Sequence, residues 1–242
     1  MKRLASPLLL LVALAIPAHA ARQTHPVDQI WTRPNLSTIR LESVAMLPAV
    51  SFDGVGPAER HAEGELMKII RDAGFRWITA PTTRDMLRRV ANDSIVPALK
   101  PKLLETARID SASTPAVCAL LRVNGLITLR VDRAEQVSIQ TDQSGTPSTT
   151  VYVHAAMVDS LGRLIWSASG ENTLEGPYLQ AAPTSGSNIL NTQLGNTPTQ
   201  GKSNAPDWPE AFDPLFTRWR PSFPSRSAFA GGKPAAPDST RH

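Results

Sequence analysis

Two period-two runs separated by four turn-forming residues constrain this chain more than any other feature. In VYVHAAMVD, Val151, Val153, Ala155 and Met157 fall on one side of an extended strand, and Tyr152, His154, Ala156 and Val158 fall on the other. Asp159-Ser160-Leu161-Gly162 follows, and then RLIWSASG. Asp159 is suited to accept backbone N–H bonds within such a turn, and Gly162 tolerates positive φ, so the two runs predict an antiparallel pair. Upstream, Ile127, Leu129 and Val131 alternate with Thr128 and Arg130, and Val137 and Ile139 extend that run past an irregular Arg-Ala-Glu-Gln.

The first half alternates strand with helix. In VAMLPAVSF, Val44, Met46 and Val50 alternate with Ala45, Leu47 and Ala49, so both faces are apolar and the strand is expected to be covered on two sides. Pro48 removes a ladder donor and belongs near the strand end or at an edge. Gly54-Val55-Gly56-Pro57 marks a turn into a helix over 57–74. There Ala58, Ala62, Leu66, Ile69 and Ala73 form the apolar side, while Arg60, Glu63, Glu65, Lys68, Arg71 and Asp72 form the wet side. A strand over 75–80 comes next. Thr82 and Asp85 have capping-box spacing before a short helix carrying Met86, Leu87 and Val90. A further helix is expected after Pro101, and another over 115–124 with Gly125 as its stop. These elements predict an α/β (α+β) sandwich with a mixed or largely antiparallel sheet flanked by helices.

The ends have a different composition. Lys2 and Arg3, an apolar run from Leu8 to Ile16 and the small-residue ending Pro17-Ala18-His19-Ala20 predict a signal peptide over 1–20, cleaved near Ala20. The expected product resides in the periplasm or is secreted. Lys2 and Arg3 leave with the leader, so the net charge falls from +4 to +2 and no basic footprint for nucleic acid remains. Cys118 is the single cysteine, which excludes an intramolecular disulfide and leaves no cysteine at the cleavage junction for a lipid anchor. No later stretch is long and apolar enough for a transmembrane segment. Residues 21–38 read as an extended N-terminal segment and 39–175 as the domain. Residues 176–206 are rich in Gly, Pro, Ser, Thr and Asn, too poor in apolar groups to offset the entropy of ordering, and read as a flexible low-complexity segment. Over 207–220, Trp208, Phe212, Phe216 and Trp219 recur every three or four residues and predict an aromatic docking helix, despite Pro214. Residues 221–242 read as a disordered tail.

The candidate chemical groups are sparse. His61 and Glu65 lie four apart on a helix, but a catalytic zinc needs three protein ligands and HAEGE lacks the second histidine. Cys118 paired with His154 is a conceivable nucleophile and base, yet the thiol sits in an apolar helical segment where packing accounts for it. His154 and Asp159, with Ser160 or Ser167, lack a G-x-S-x-G elbow. GVGP lacks the phosphate-loop pattern, and Glu63 and Glu65 read as solvated helix carboxylates. No catalytic residue, cofactor or metal site is expected. The aromatic side of 207–220 is the main interaction candidate: it docks on its own sheet, fills a partner's groove or touches a membrane surface.

The order of elements, ending in VYVHAAMVDSLGRLIWSASG, resembles the periplasmic domain shared by CsgG-type curli secretion proteins, LpoB-type activators of penicillin-binding proteins and related small envelope lipoproteins. The resemblance covers about residues 40 to 175, with Asp159, Gly162 and Trp166 as its local match. It implies that Asp159 and Gly162 shape the strand turn, that Trp166 anchors the sheet against helices, and that the domain is an assembly, adaptor or regulatory module. It supplies no catalytic residue. The chain departs from these groups in lacking the junctional cysteine and a long pore-forming insertion, so a curli-type channel is not expected. The expectation is a non-enzymatic soluble periplasmic adaptor that binds another envelope protein, with a homo-oligomer as a further option. The alternative is a small secreted hydrolase with a site around His154 and Asp159.

Overall fold

One long strand carries the sheet from parallel to antiparallel pairing. The computed structural model describes residues 28–52, 54–91, 94–140, 143–181 and 204–231; the predicted signal peptide, the centre of the low-complexity segment and the last part of the predicted tail lie outside these. The strands are β1 (Gln29–Thr32), β2 (Ser43–Met46), β3 (Val50–Ser51), β4 (Arg76–Ile78), β5 (Gly125–Val137), β6 (Ser148–Asp159) and β7 (Leu164–Glu175). They form one sheet in the order β1, β7, β6, β5, β2, β4, with β3 also on β5. β2 is parallel to both β4 and β5, whereas β5, β6, β7 and β1 are antiparallel. The fold is therefore α/β with a mixed sheet.

Among the described residues five α-helices follow from the local sequence: α1 (Gly56–Asp72), α2 (Ala80–Ala91), α3 (Ile95–Thr106), α4 (Thr114–Leu121) and α5 (Trp208–Trp219). Helices α1 and α5 cover one face with Leu66, Ile70, Phe212, Leu215 and Trp219 against Val44, Ile127, Val153 and Trp166. Helices α2 to α4 cover part of the other, with Leu87, Leu103 and Leu121 against Ala45, Leu126 and Val158. Several boundaries differ from the sequence reading. α2 begins at Ala80, and Thr79 Oγ1 accepts the Thr82 N–H at 3.3 Å, so the capping side chain is Thr79. α3 starts six residues before Pro101 and keeps that proline inside. α4 ends where Arg122 adopts φ 54°; Gly125 instead opens β5, where a Cβ would stand 2.7 Å from Leu41 Cδ1 and from the Val158 carbonyl.

Pro48 lies between β2 and β3, and the face alternation slips there. Val44, Met46 and Ala49 join the α1/α5 core, whereas Ala45, Leu47 and Val50 join the other. The slip takes the Ala49 N–H off the ladder, and Glu63 Oε1 accepts it at 2.7 Å. Glu63 is thus a core carboxylate, 5% exposed, and not one of the wet residues of α1.

The chain ends are drawn into the domain further than their composition suggests. The segment before residue 39 contributes β1, whose Gln29 to Thr32 pair with Ser169 to Trp166. Beyond β7, Leu179 bridges Gly145, and the Pro206 carbonyl accepts hydrogen bonds from Thr149 and Gln136. The tail predicted from 221 is packed as far as Phe229: Phe223 meets Trp166 edge-on at 4.9 Å, and Phe229 meets Phe75 at 5.7 Å. Two aromatic residues in this stretch, Phe223 and Phe229, supply enough burial to order it, although they form no periodic pattern.

α5 approaches the sheet over Gly170. A Cβ there would lie 2.2 Å from Asp28 Oδ1 and 2.9 Å from Leu215 Cδ1. Asp28 in turn accepts two bonds from Arg218, at 2.7 and 3.1 Å. Gly170→Ala is therefore expected to destabilise the fold by about 1–3 kcal/mol through overpacking, read as a lower urea midpoint with an unchanged slope; an unchanged midpoint would show that the approach is not tight.

Candidate functional site

The sheet is covered unevenly, and its open part holds the polar chemistry. Thr128, Ala156, Ser167 and Trp31 are cross-strand neighbours on one face, as are Arg130, His154, Ser169 and Gln29. Helices α2 to α4 lie over the β2, β3 and β5 end of this face, with Thr128 Oγ1 bonded to the Ala107 carbonyl at 2.7 Å. Beyond it, β6, β7 and β1 border a cleft of about 510 Å³ lined by Gln29, Trp31, Arg108, His154, Ser167 and Ser169 among others. Trp31 is 44% exposed on the outermost strand, and Ile30 beside it is 39% exposed.

His154 is held on this face by Asp132. Its Nε2 lies 2.8 Å from Asp132 Oδ2, and the Tyr152 ring meets the imidazole edge-on at 5.0 Å. Asp132 also receives both Nε and Nη2 of Arg130, while Arg130 Nη1 donates to the Leu104 carbonyl at 2.7 Å, tying the group to the end of α3. Burial works against the Asp132 charge, but the bonds from His154 and Arg130 outweigh it, and the carboxyl titrates below its ordinary value. The cluster is a fully engaged ion pair with an imidazole attached, an arrangement that orients a side chain and supplies no free nucleophile.

The residues considered for hydrolysis are not brought together. His154 and Asp159 stand five residues apart along β6, about 17 Å at the usual rise per strand residue. Asp159 is committed to the turn: it accepts the Leu161 and Arg163 N–H groups at 3.0 and 2.9 Å and the Arg163 Nε at 2.6 Å, while Gly162 takes φ +74°. Ser167 and Ser169 share the cleft with His154, but the imidazole bonds to Asp132. Cys118 is buried in the α2 to α4 core. Its thiol is pushed up to about 11, first by desolvation and then by the Asp159 charge. His61 is exposed, and Glu65 binds Lys68 at 2.7 Å. Among the described residues no three His, Cys, Asp or Glu side chains gather as metal ligands would.

Trp166 is fully buried, donating from Nε1 to Ser222 Oγ at 3.3 Å beneath Trp219. Phe212, Phe216 and Trp219 are also buried, and Trp208 packs against the same core. The aromatic side of α5 therefore faces its own sheet, and the partner-facing and membrane-facing alternatives lose the surface they need. Two features escaped the sequence reading. Arg130 and Asp132 show only the i, i+2 spacing of one strand face, and nothing local pairs them with His154. Glu63 had a readable signal, because it stands in register with Leu66 and Ile70 on the apolar stripe of α1.

No family model matches the chain, and no curated protein matches it. Solved structures similar to it include the lipoprotein GNA1162 from Neisseria meningitidis, at 15% identity over 63% of this chain and 97% of that one, with a TM-score of 0.42. The PelC dodecamer from Paraburkholderia phytofirmans is similar at 16% identity over 78% and 96%, with a TM-score of 0.37. The hypothetical protein CT253 from Chlamydia trachomatis follows at 12% identity over 55% and 73%, with a TM-score of 0.36. Likeness at this level carries no activity across to the present chain.

Two measurements test the burial of Glu63 and Cys118. Desolvation raises the Glu63 carboxyl above its ordinary value of 4.5, against the opposing Ala49 N–H bond and the Arg84 charge. A raised folded-state value means that this group's contribution is fully present below the unfolded value and is lost as pH rises through the folded one. Urea denaturation of wild type and Glu63→Gln between pH 4 and 8 should therefore show wild type losing stability relative to the variant as pH rises; parallel curves would contradict this. For Cys118, folded protein at pH 7.5 should react with iodoacetamide at least tenfold more slowly than the urea-unfolded chain; equal rates would refute its burial.

Proposed function

We propose that this chain is a non-enzymatic, soluble periplasmic adaptor or regulatory module that binds another envelope protein. The observation that carries the reading is the open end of the sheet, where edge strand β1 presents Ile30 and Trp31 beside the cleft. The larger aromatic groups of β7 and α5 are consumed in the core, so this edge combines exposed apolar side chains with the unpaired backbone groups of an outermost strand. The four-residue length of β1 suits a regulated contact more than open-ended strand addition. Support for a non-catalytic role comes from the separation of His154 and Asp159 and from the high titration point of Cys118.

Crosslinking in the cell envelope tests the proposal. A partner should be recovered reproducibly with wild type and lost with the double variant Ile30→Ser, Trp31→Ser, while the variant keeps its thermal midpoint within a few degrees. Recovery of the same partner at equal yield from the variant would remove β1 from the contact. Recovery of no partner would count against the adaptor reading itself, and a crosslink to a second copy of the chain would replace it with self-assembly.

A further inference from the structure

A second cavity, on the covered side of the sheet, has different chemistry from the open cleft and is independent of the adaptor reading. It is a half-open space of about 180 Å³ where β2 and β3 part at Pro48, and its apolar walls are Leu47, Val50, Leu87, Val96, Leu99 and Leu103. Glu59, Arg84 and Lys100 stand around it. The two carboxylates nearby are already committed: Glu59 Oε1 accepts from Ser51 Oγ at 2.6 Å, and Glu63 Oε1 accepts the Ala49 N–H, with Arg84 Nη2 at 3.7 Å. Lys100 is exposed and makes no side-chain bond among the described residues. Arg84 is half-exposed and only loosely engaged. An apolar interior thus opens beside one unpaired cation and one underused one.

We propose that this cavity binds a small organic monoanion with a short unbranched apolar chain, the chain inside the leucine-lined space and the anionic head at Lys100 and Arg84. An apolar cavity of about 150 Å³ stays dry and takes up a benzene-sized guest, so the present one suits roughly six to eight carbons. Size sets a sharp limit. Longer chains have no further apolar wall to occupy, and a head without charge gives up the Lys100 contact.

Calorimetric titration of the full chain at pH 7 with butanoate, hexanoate, octanoate and dodecanoate, and with 1-hexanol, tests this. Affinity should rise about fourfold per methylene up to roughly eight carbons and then level off or fall. Lys100→Gln, a surface change, should weaken octanoate about threefold and leave 1-hexanol unchanged. Val96→Phe, checked for native circular dichroism, should abolish saturable binding of both by filling the space. Absence of saturable binding by wild type, or affinity that keeps climbing to dodecanoate and ignores both variants, would overturn the site.

Discussion

Trp166 and the helix that closes over it hold the structure together. The indole is wholly buried where β7 faces α5, with Trp219 edge-on at 6.3 Å and Phe223 at 4.9 Å. An aromatic cluster of this size contributes more through buried area than through ring geometry, since aromatic pairing adds only about 0.5–1.5 kcal/mol to the burial itself. Without α5, the hairpin would expose Val151, Val153, Ala155 and Trp166 along one continuous face. The α1/α5 side of the core is thus assembled from two parts of the chain that have no local reason to meet, and Gly170 supplies the space in which they do.

Coverage of the other face stops short for a topological reason. Residues 80–121 place three helices over β2, β3 and the start of β5, and the chain then enters β5 and makes its antiparallel excursion with no further helix among the described residues on that side. The outer strands consequently keep a polar face: Gln29, Ser167, Ser169 and His154 occupy positions that would be apolar beneath a helix. The Arg130, Asp132 and His154 group sits at the border between the two regimes, anchored to the Leu104 carbonyl of α3 on one side and open to the cleft on the other.

The elements whose side-chain period matched their burial were readable from sequence, and this holds for α1, β6, β7, the 159–162 turn and the aromatic side of α5. What was not readable depended on partners distant in the chain. Glu63 stands in register with the apolar stripe of α1, but what it is for appears only when the Pro48 slip leaves Ala49 in need of an acceptor. β1 has too few residues to show a period, and it becomes a strand because β7 offers a free edge. Residues 221–229 hold only isolated aromatics, whose value appears once Trp166 and Phe75 are in place. The site was the least legible part: His154 stood out by type, but its carboxylate partner lay on a neighbouring strand and not in the turn beside it.

The ion pair of Asp28 with Arg218 spans 190 positions and fastens both ends of the described chain to the same strand, β7. Consequently the domain has no early stopping point during synthesis. A chain that has emerged only as far as β7 already contains every strand among the described residues, yet still presents the Trp166 indole to water. Such a chain would keep this apolar face uncovered until the segment carrying Trp219 and Phe223 arrives. Completion of the fold is thereby coupled to delivery of the whole polypeptide, a form of quality control that requires no separate sensor.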